Sequence, residues 1–480
     1  MLSCFEAQSL RWHMPIVLLI IYFLATPVLA DPPTLSNFSL KPDLLTQGTG
    51  IQAVSVAVFV ADLDGDLNPS KVKAIFKFAD GTKEKTLLVD NGEGLFIGEI
   101  DVDTSTLGDI EVKVKAKDQE KNKVKMTATL SIEKADQDTL LFLPAENVPV
   151  GNYPIDVLTH DLDGDGNVDL VSANADDGTI SVLLGDGEGN FSNQRRFEAG
   201  TTPFALAVGV LDGDETVDIV VVNRNSNDLS IFLGMGDGDF RTATTIPVGN
   251  KPASVAIGDI DGDDILDLAV VNMDDNNVML LLGTGDGDFV EGNLIDISRT
   301  PRFVAVDDLN QDGSLDLVVA GGALGKVTIL VGDGQGNVSI VDEWTVGRGS
   351  FSVAIGDVNG DENLDLAVAN KDTDDVTILL GDGALSFEES GRIGVGRSPT
   401  SVEIGDLNDD GFLDLAVANS GSNTVTMLAG DGNAGFANAG TFDVNVTPRA
   451  VAMGDFNGDQ KMDLVTADWS SNNVSVLFSR

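Results

Sequence analysis

Apolar and polar positions fall into two regimes along the 480 residues. From position 154 onward, short apolar runs recur between acidic or glycine-rich turns. "SVAIGD" (254–259) alternates into an acidic turn, "LDLAVVN" (266–272) is almost continuously apolar, and "NVMLLLG" (277–283) follows an Asn/Asp-rich turn. "GDGDF" (285–289) then leads into a fourth, weaker run that ends near a proline. Apolar runs this short, bounded by turn residues, predict strands rather than helices. The unit is therefore four strands joined by three turns.

The unit repeats. "DLDGDGNVDL" begins at 161, and related decapeptides begin at 210, 259, 308, 357, 406 and 455, each 49 residues after the last. A fixed period of this length marks a stacked or closed repeat architecture. Seven copies of four strands predict an all-β, seven-bladed β-propeller, whose ring closure protects the sheet edges; a linear β-solenoid is the alternative. The chain ends favour the ring. The seventh copy stops at Arg480 before any fourth strand, whereas "LFLPAENVPVGNYP" (141–154) aligns without a gap to "DFRTATTIPVGNKP" (239–252), a fourth strand and its connection. Residues 141–150 are thus expected to complete the blade built from 448–480, and the propeller to occupy 136–480.

The region before the repeats reads differently. "AVSVAVFVA" (53–61), "VKAIFKF" (72–78) and "IEVKVKAKD" (110–118) alternate with period two, and lysines gather here. About seven short strands over residues 31–135 resemble an immunoglobulin-like β-sandwich. "ADLDGDL" (61–67) is either a cation loop through Asp62, Asp64 and Asp66 or a solvated inter-strand loop. Residues 1–30, with the apolar run "PIVLLIIYFLA" and "VLA" before Asp31, read as a signal peptide, an uncleaved anchor being the alternative. No later segment is apolar long enough to cross a bilayer as a helix. Secretion or display at the cell surface is the expected location.

Charge sharpens the picture. Asp and Glu total 77 against 29 Lys and Arg, for a formal charge of −48. Such a chain is a poor partner for nucleic acid, which requires phosphate neutralisation. It suits cation ligation, and the decapeptides have the spacing for it. Side-chain oxygens at positions 1, 3, 5 and 9, with a backbone carbonyl at position 7, form a cage for a hard cation, Ca²⁺ before Mg²⁺. Position 12 is Ser172 or Val270 rather than Glu, so the loop is not an EF-hand. Six copies carry the full set, and about six Ca²⁺ are expected. The first uses Asp161, Asp163, Asp165, Asn167 and Asp169, and the third Asp259, Asp261, Asp263, Ile265 and Asp267. The fourth uses Asp308, Asn310, Asp312, Ser314 and Asp316, and the fifth Asp357, Asn359, Asp361, Asn363 and Asp365. The sixth uses Asp406, Asn408, Asp410, Phe412 and Asp414, and the seventh Asp455, Asn457, Asp459, Lys461 and Asp463. Asn at position 3 keeps an oxygen and drops a charge. The second copy has Val210 at position 1, so an empty or weak site is expected there.

These loops in their blade context resemble FG-GAP/VCBS repeats, the family that includes the ligand-binding propeller of integrin α-subunits. The resemblance covers about 340 of the 480 residues. It implies a cation in the loop between the first two strands of a blade, and a ligand face on the opposite side. The family's motif leading into each blade is kept only in part: "GTTP", "GNKP" and "GRSP" are present, while "SRTP", "GRGS" and "NVTP" depart from it.

Function is expected where copies differ. At the lead-in turn the equivalent residues are Asn152, Thr201, Asn250, Arg299, Arg348, Arg397 and Val446, with Arg302 close by. Arginines on three consecutive blades could clasp an oxyanion, or could bridge to carboxylates and carbonyls of the next blade. Trp344, Trp469 and Tyr153 could pack between blades or offer a sugar platform. His160 is the only histidine after the leader and abuts Asp161, and no cysteine follows Cys4, so His- and Cys-based nucleophilic catalysis has little to work with. The sequence reads as a secreted or cell-surface, calcium-binding recognition or cell-adhesion module for a protein or glycan ligand, with no catalytic role. The alternative is a secreted carbohydrate-active enzyme, a polysaccharide lyase or glycosidase, or its accessory domain, since such enzymes can work with carboxylates alone.

Overall fold

The computed structural model describes residues 142–480, apart from 298, 299 and 323. The leader expected over 1–30 and the sandwich expected over 31–135 lie outside the described residues. No described helix is long and apolar enough to cross a membrane.

Residues 142–480 form a seven-bladed β-propeller of four-stranded antiparallel sheets. Blades 1 to 6 span 154–198, 203–247, 252–296, 301–345, 350–394 and 399–443. In each, strands follow one another outward in chain order. Blade 7 draws three strands from Pro448–Gly454, Asp463–Asp468 and Asn473–Leu477, and its fourth from Glu146–Pro149. That fourth strand runs antiparallel to the third, with Val148 opposite Val474, and Phe142 bridges Ser479 beyond it. The ring is latched again at its inner wall, where the Thr159 hydroxyl of blade 1 donates to the Met453 carbonyl of blade 7 at 2.7 Å.

The hydrophobic patterning follows from how the blades stack. Second strands are buried along their whole length, as in Asp218–Asn223 and Asp365–Asn370, because a neighbouring blade covers each face. That is why they read as continuous apolar runs rather than alternating ones. Fourth strands lie on the rim; Phe289–Asp296 keeps only intermediate and exposed positions, which weakens its signal. The cores sit between blades. Val171, Ile180 and Val182 of blade 1 pack against Ile219, Val221 and Phe232 of blade 2. Leu170 and Leu183 pack the other way, against Val465 and Val474 of blade 7. Each such side chain contributes about 1.5–3 kcal/mol on burial.

This order of strands divides the turns between two faces. The acidic loop and the turn between strands three and four open on one face. The turn between strands two and three and the lead-in turn open on the other.

Candidate functional site

The acidic loops are built by their own backbone. The position-1 aspartate accepts from N–H groups inside the turn: Asp161 from Gly164 and Gly166 at 2.8 and 2.9 Å, and Asp357 from Gly360 and Glu362 at 2.7 and 2.8 Å. Position 5 accepts from the position-7 N–H in the six complete copies, for example Asp263 from Ile265 at 2.9 Å. Position 6 lies at positive φ in all seven copies, including Glu215, Asp264, Glu362 and Gln460, where no glycine eases the strain.

Position 9 has a second task. Asp169, Asp218, Asp267, Asp316, Asp365, Asp414 and Asp463 are fully buried. In each, one carboxylate oxygen accepts from the position-2 N–H and the other from the residue sixteen further along, at or just beyond the end of the third strand. For Asp365 the donors are Val358 and Gly381, at 3.0 and 2.8 Å. Burial, only partly offset by these bonds, pushes the Asp169, Asp316, Asp365 and Asp414 carboxyls up to about 6. The position-9 aspartate therefore fastens the loop to the sheet, and its oxygens retain lone pairs for a cation.

Among the described residues, two loops gather enough carboxylates to hold a metal ion. In loop 1, oxygens of Asp161, Asp163 and Asp169 lie within 4.8 Å of one another, and in loop 3 those of Asp259, Asp261 and Asp267 do so. Loop 3 adds a direct sign of fit: one carboxylate oxygen of Asp261 is buried with no hydrogen-bond partner. Such an atom is expensive to leave unpaired, and a cation among the three aspartates would satisfy it. Loops 4 to 7 carry Asn at position 3, whose oxygen accepts from the position-5 N–H at 2.8–2.9 Å.

Loop 2 solves its charge problem differently. With Val210 at position 1, Asp212 and Asp214 face the guanidinium of Arg241, at 3.3 and 3.6 Å. An arginine from the fourth strand region thus stands where the other loops concentrate unpaired carboxylates. The loops also touch the next blade. The N–H of Gly189, Gly287 and Ala434, in the turns of blades 1, 3 and 6, donate to the position-2 carbonyls of loops 7, 2 and 5.

Of the lead-in arginines, Arg348 and Arg397 do not line the channel cavity. Arg299 lies outside the described residues. Arg348 and Arg397 have exposed side chains, and neither forms an ion pair among the described residues. The Arg397 N–H donates to Ser422 and its carbonyl accepts from Gly421, both within its own blade. His160 is exposed beside the Asp161 carbonyl. Trp344 packs against the core between blades 4 and 5.

Arg302, in contrast, reaches the mouth of the central channel, on the face away from the acidic loops. There it joins Arg224, Lys371 and Arg449 around a cavity of about 400 Å³. Two register positions bring the cations and rings to a wall that the third residues of the innermost strands complete. One is the second residue of each innermost strand: Ile155, Phe204, Ala253, Arg302, Phe351, Thr400 and Arg449. The other follows each second strand, where Ala175, Arg224, Met273, Gly322, Lys371, Ser420 and Trp469 are equivalent and Arg224, Lys371 and Trp469 line the cavity. At both, the copies share almost nothing. Arg224 lies over Phe204 at 4.4 Å, Arg449 over Trp469 at 5.1 Å, and both Arg302 and Lys371 over Phe351 at 5.2 and 5.4 Å. Tyr153 packs edge-on against Trp469 at the rim. Burial holds all four cations below their ordinary pKa, and Arg302 and Arg449 further depress Lys371 and Arg224. Sequence reasoning singled out Arg302 and missed the other three; comparing the copies column by column is the signal that finds them.

Two further carboxyls face the channel. Asp156 accepts from the Leu206 N–H of blade 2 at 2.9 Å, and burial pushes it up to about 6. Burial, reinforced by the Asp156 charge, pushes Glu403 up to about 8.

Comparison with protein families matches an FG-GAP-like repeat to residues 161–221, 211–270, 259–319, 308–368, 357–417 and 406–466, more than half of the chain. A comparison with curated proteins found no match. Among solved structures, BBS1N in complex with ARL6DN is similar at 16% identity and a TM-score of 0.52, covering 71% of this chain and 97% of that one. A putative 6-phosphogluconolactonase from Bacteroides uniformis aligns at 14% identity over 79% of this chain and 98% of that one, with a TM-score of 0.48. The periplasmic gluconolactonase PpgL of Pseudomonas aeruginosa aligns at 14% identity over 70% and 93%, also at 0.48. At these identities the likeness speaks for the fold alone.

Proposed function

The chain belongs to the FG-GAP-like repeat family, and on that premise we propose that it is a secreted or cell-surface recognition module, non-catalytic, with a ring stabilised by calcium. One observation carries the reading: the residues that differ between copies converge at the channel mouth, on the face opposite the acidic loops. The repeated residues maintain the blade, and the unrepeated ones face outward for a protein or glycan ligand, as in integrin-like propellers. A signal peptide over 1–30 and an immunoglobulin-like module over 31–135 complete this reading.

The six complete loops would hold Ca²⁺ through positions 1, 3, 5 and 9 and the position-7 carbonyl. Its chemistry there is neutralisation: a divalent ion accepts oxygens at about 2.3–2.6 Å that otherwise repel one another. Because loops 5 and 7 hydrogen-bond to the following blade, the effect would extend to those blade interfaces.

Binding to glycan and protein arrays in calcium and in chelator tests the recognition reading. A ligand captured in calcium, and lost when channel-mouth side chains are changed, supports it. Capture that ignores those changes, or no capture on any array, overturns it. A second reading, a carbohydrate-active enzyme, is favoured by Asp156 and Glu403, two channel carboxyls pushed to about 6 and 8. Paired carboxyls with separated pKa values suit acid–base work. Turnover of acidic polysaccharides that Glu403→Gln abolishes would establish it.

A further inference from the structure

Four cations converge on one cavity in a chain whose formal charge is −48. They come from blades 2, 4, 5 and 7, and among the described residues none of them forms an ion pair with a carboxylate. Elsewhere on the ring, Arg195, Arg196, Arg241 and Arg392 each do. The rings beneath them attract the cations but accept none of their N–H donors in the plane of a guanidinium. Arg224 finds only the Met273 sulfur, at 3.4 Å. The Nε of Arg449 is buried with no partner at all. Donors are therefore oriented, partly desolvated and unspent, and the cavity is within the size range of small-molecule sites.

We infer that the channel mouth binds an organic anion bearing two or more carboxylate groups. The inference rests on the recognition reading and gives it a ligand class. Two features set the number of carboxylates. Arg302 and Lys371 share the Phe351 ring and form one subsite, while Arg224 and Arg449 sit on separate rings. A single carboxylate occupies one fork and leaves the others facing like charge. The acids around the mouth also matter. Asp274 acts on Arg224, Asp372 on Arg302 and Lys371, and Asp156 is engaged by the Leu206 N–H. With these three acids against four cations, and Glu403 pushed up to about 8 by burial and so uncharged near neutral pH, the mouth is only weakly positive. Affinity must then come from oxygens placed in register with several donors, which a monocarboxylate lacks.

Two sources share this chemistry: a free polycarboxylate and the acidic end of a saccharide. Isothermal titration of the full chain in calcium buffer should use tricarballylate for the first and digalacturonate for the second, with acetate and neutral galactobiose as controls. At least one probe should bind, at least tenfold more tightly than either control, and the better one identifies the source. Arg302→Gln and Lys371→Gln should each weaken it roughly tenfold with the melting temperature unchanged, since charge-assisted hydrogen bonds are worth about that. Arg348→Gln, outside the cavity, should leave it unchanged. Should those variants fold poorly, phenylglyoxal labelling of the native chain reads the same point: the bound probe must protect Arg224, Arg302 and Arg449. No binding by either probe, equal binding by the variants, or no protection overturns the inference. An array ligand that carries no carboxylate and is lost when channel-mouth side chains are changed would leave the recognition reading standing without it.

Discussion

Completing the second acidic loop should turn an arginine-neutralised turn into a cation site. The perturbation is Val210→Asp together with Arg241→Ala. Val210 is 36% exposed, so its replacement costs little core. A position-1 carboxylate would gain the N–H partners that Asp161 and Asp357 already have. Arg241 pairs with Asp212 and Asp214 at 3.3 and 3.6 Å but is 55% exposed, so its loss alone should destabilise by only about 0.5–1 kcal/mol. Adding the fourth carboxylate without a cation should cost about 1 kcal/mol more through like-charge repulsion. In 10 mM calcium, a site with Kd near 10⁻⁴–10⁻³ M returns about 1.4–2.7 kcal/mol. The double variant should therefore match the parent in calcium and fall about 2 kcal/mol below it in chelator. Urea unfolding in both buffers measures this, and calorimetric titration should count one more ion than in the parent. An unchanged ion count, or the same deficit in both buffers, would refute the reasoning.

Within loop 5, two aspartates should separate by role. Asp365→Ala strands the Val358 and Gly381 N–H groups and should cost about 2–4 kcal/mol with or without calcium, whereas Asp361→Ala should matter mainly in calcium, as unfolding curves in both buffers will tell. Asp468 stands where five blades carry Asn174, Asn223, Asn272, Asn370 and Asn419, and burial pushes its carboxyl up to about 7. The folded state therefore holds a proton that the unfolded state releases, and stability from this group falls as pH rises from about 4 to 7. Asp468→Asn should gain about 1–2 kcal/mol at pH 8 and little at pH 4 by the same unfolding assay; a gain confined to low pH would contradict it. Removing residues 142–150 should leave the third strand of blade 7 unpaired, so the shortened chain should melt far lower or self-associate on sizing columns, and an unaltered monomer would count against ring closure.

The ring was legible in the sequence because every level of the repeat agrees. Second strands such as "DIVVVN" read as continuous apolar runs since blades cover both faces, and the constant 49-residue step implies identical blades. The acidic spacing also survives inspection, with Asp161, Asp163 and Asp169 brought together as a candidate cation cluster. Other things stayed hidden. The dual role of position 9 depends on Gly185 and its equivalents, sixteen residues away across the sheet. Arg241 replaces charge in loop 2 from a strand that the loop motif does not include. At the channel mouth, Arg224, Arg302, Lys371 and Arg449 are spread over four blades and two register positions, so no local motif marks them. The lead-in arginines drew attention because three fall in one column, yet Arg348 and Arg397 point into solvent.

The stability of the ring in calcium and in chelator tests the central claim most directly. At millimolar calcium each of six sites with Kd near 10⁻⁴–10⁻³ M contributes about 1 kcal/mol, and the total rivals the net stability of an ordinary domain. Over roughly 340 residues that sum should shift the midpoint by about 8 °C. Differential scanning calorimetry of the full chain should show the propeller transition falling by that order when calcium is removed and recovering when it is restored. A propeller transition at the same temperature in both buffers would mean that the acidic loops are not cation sites.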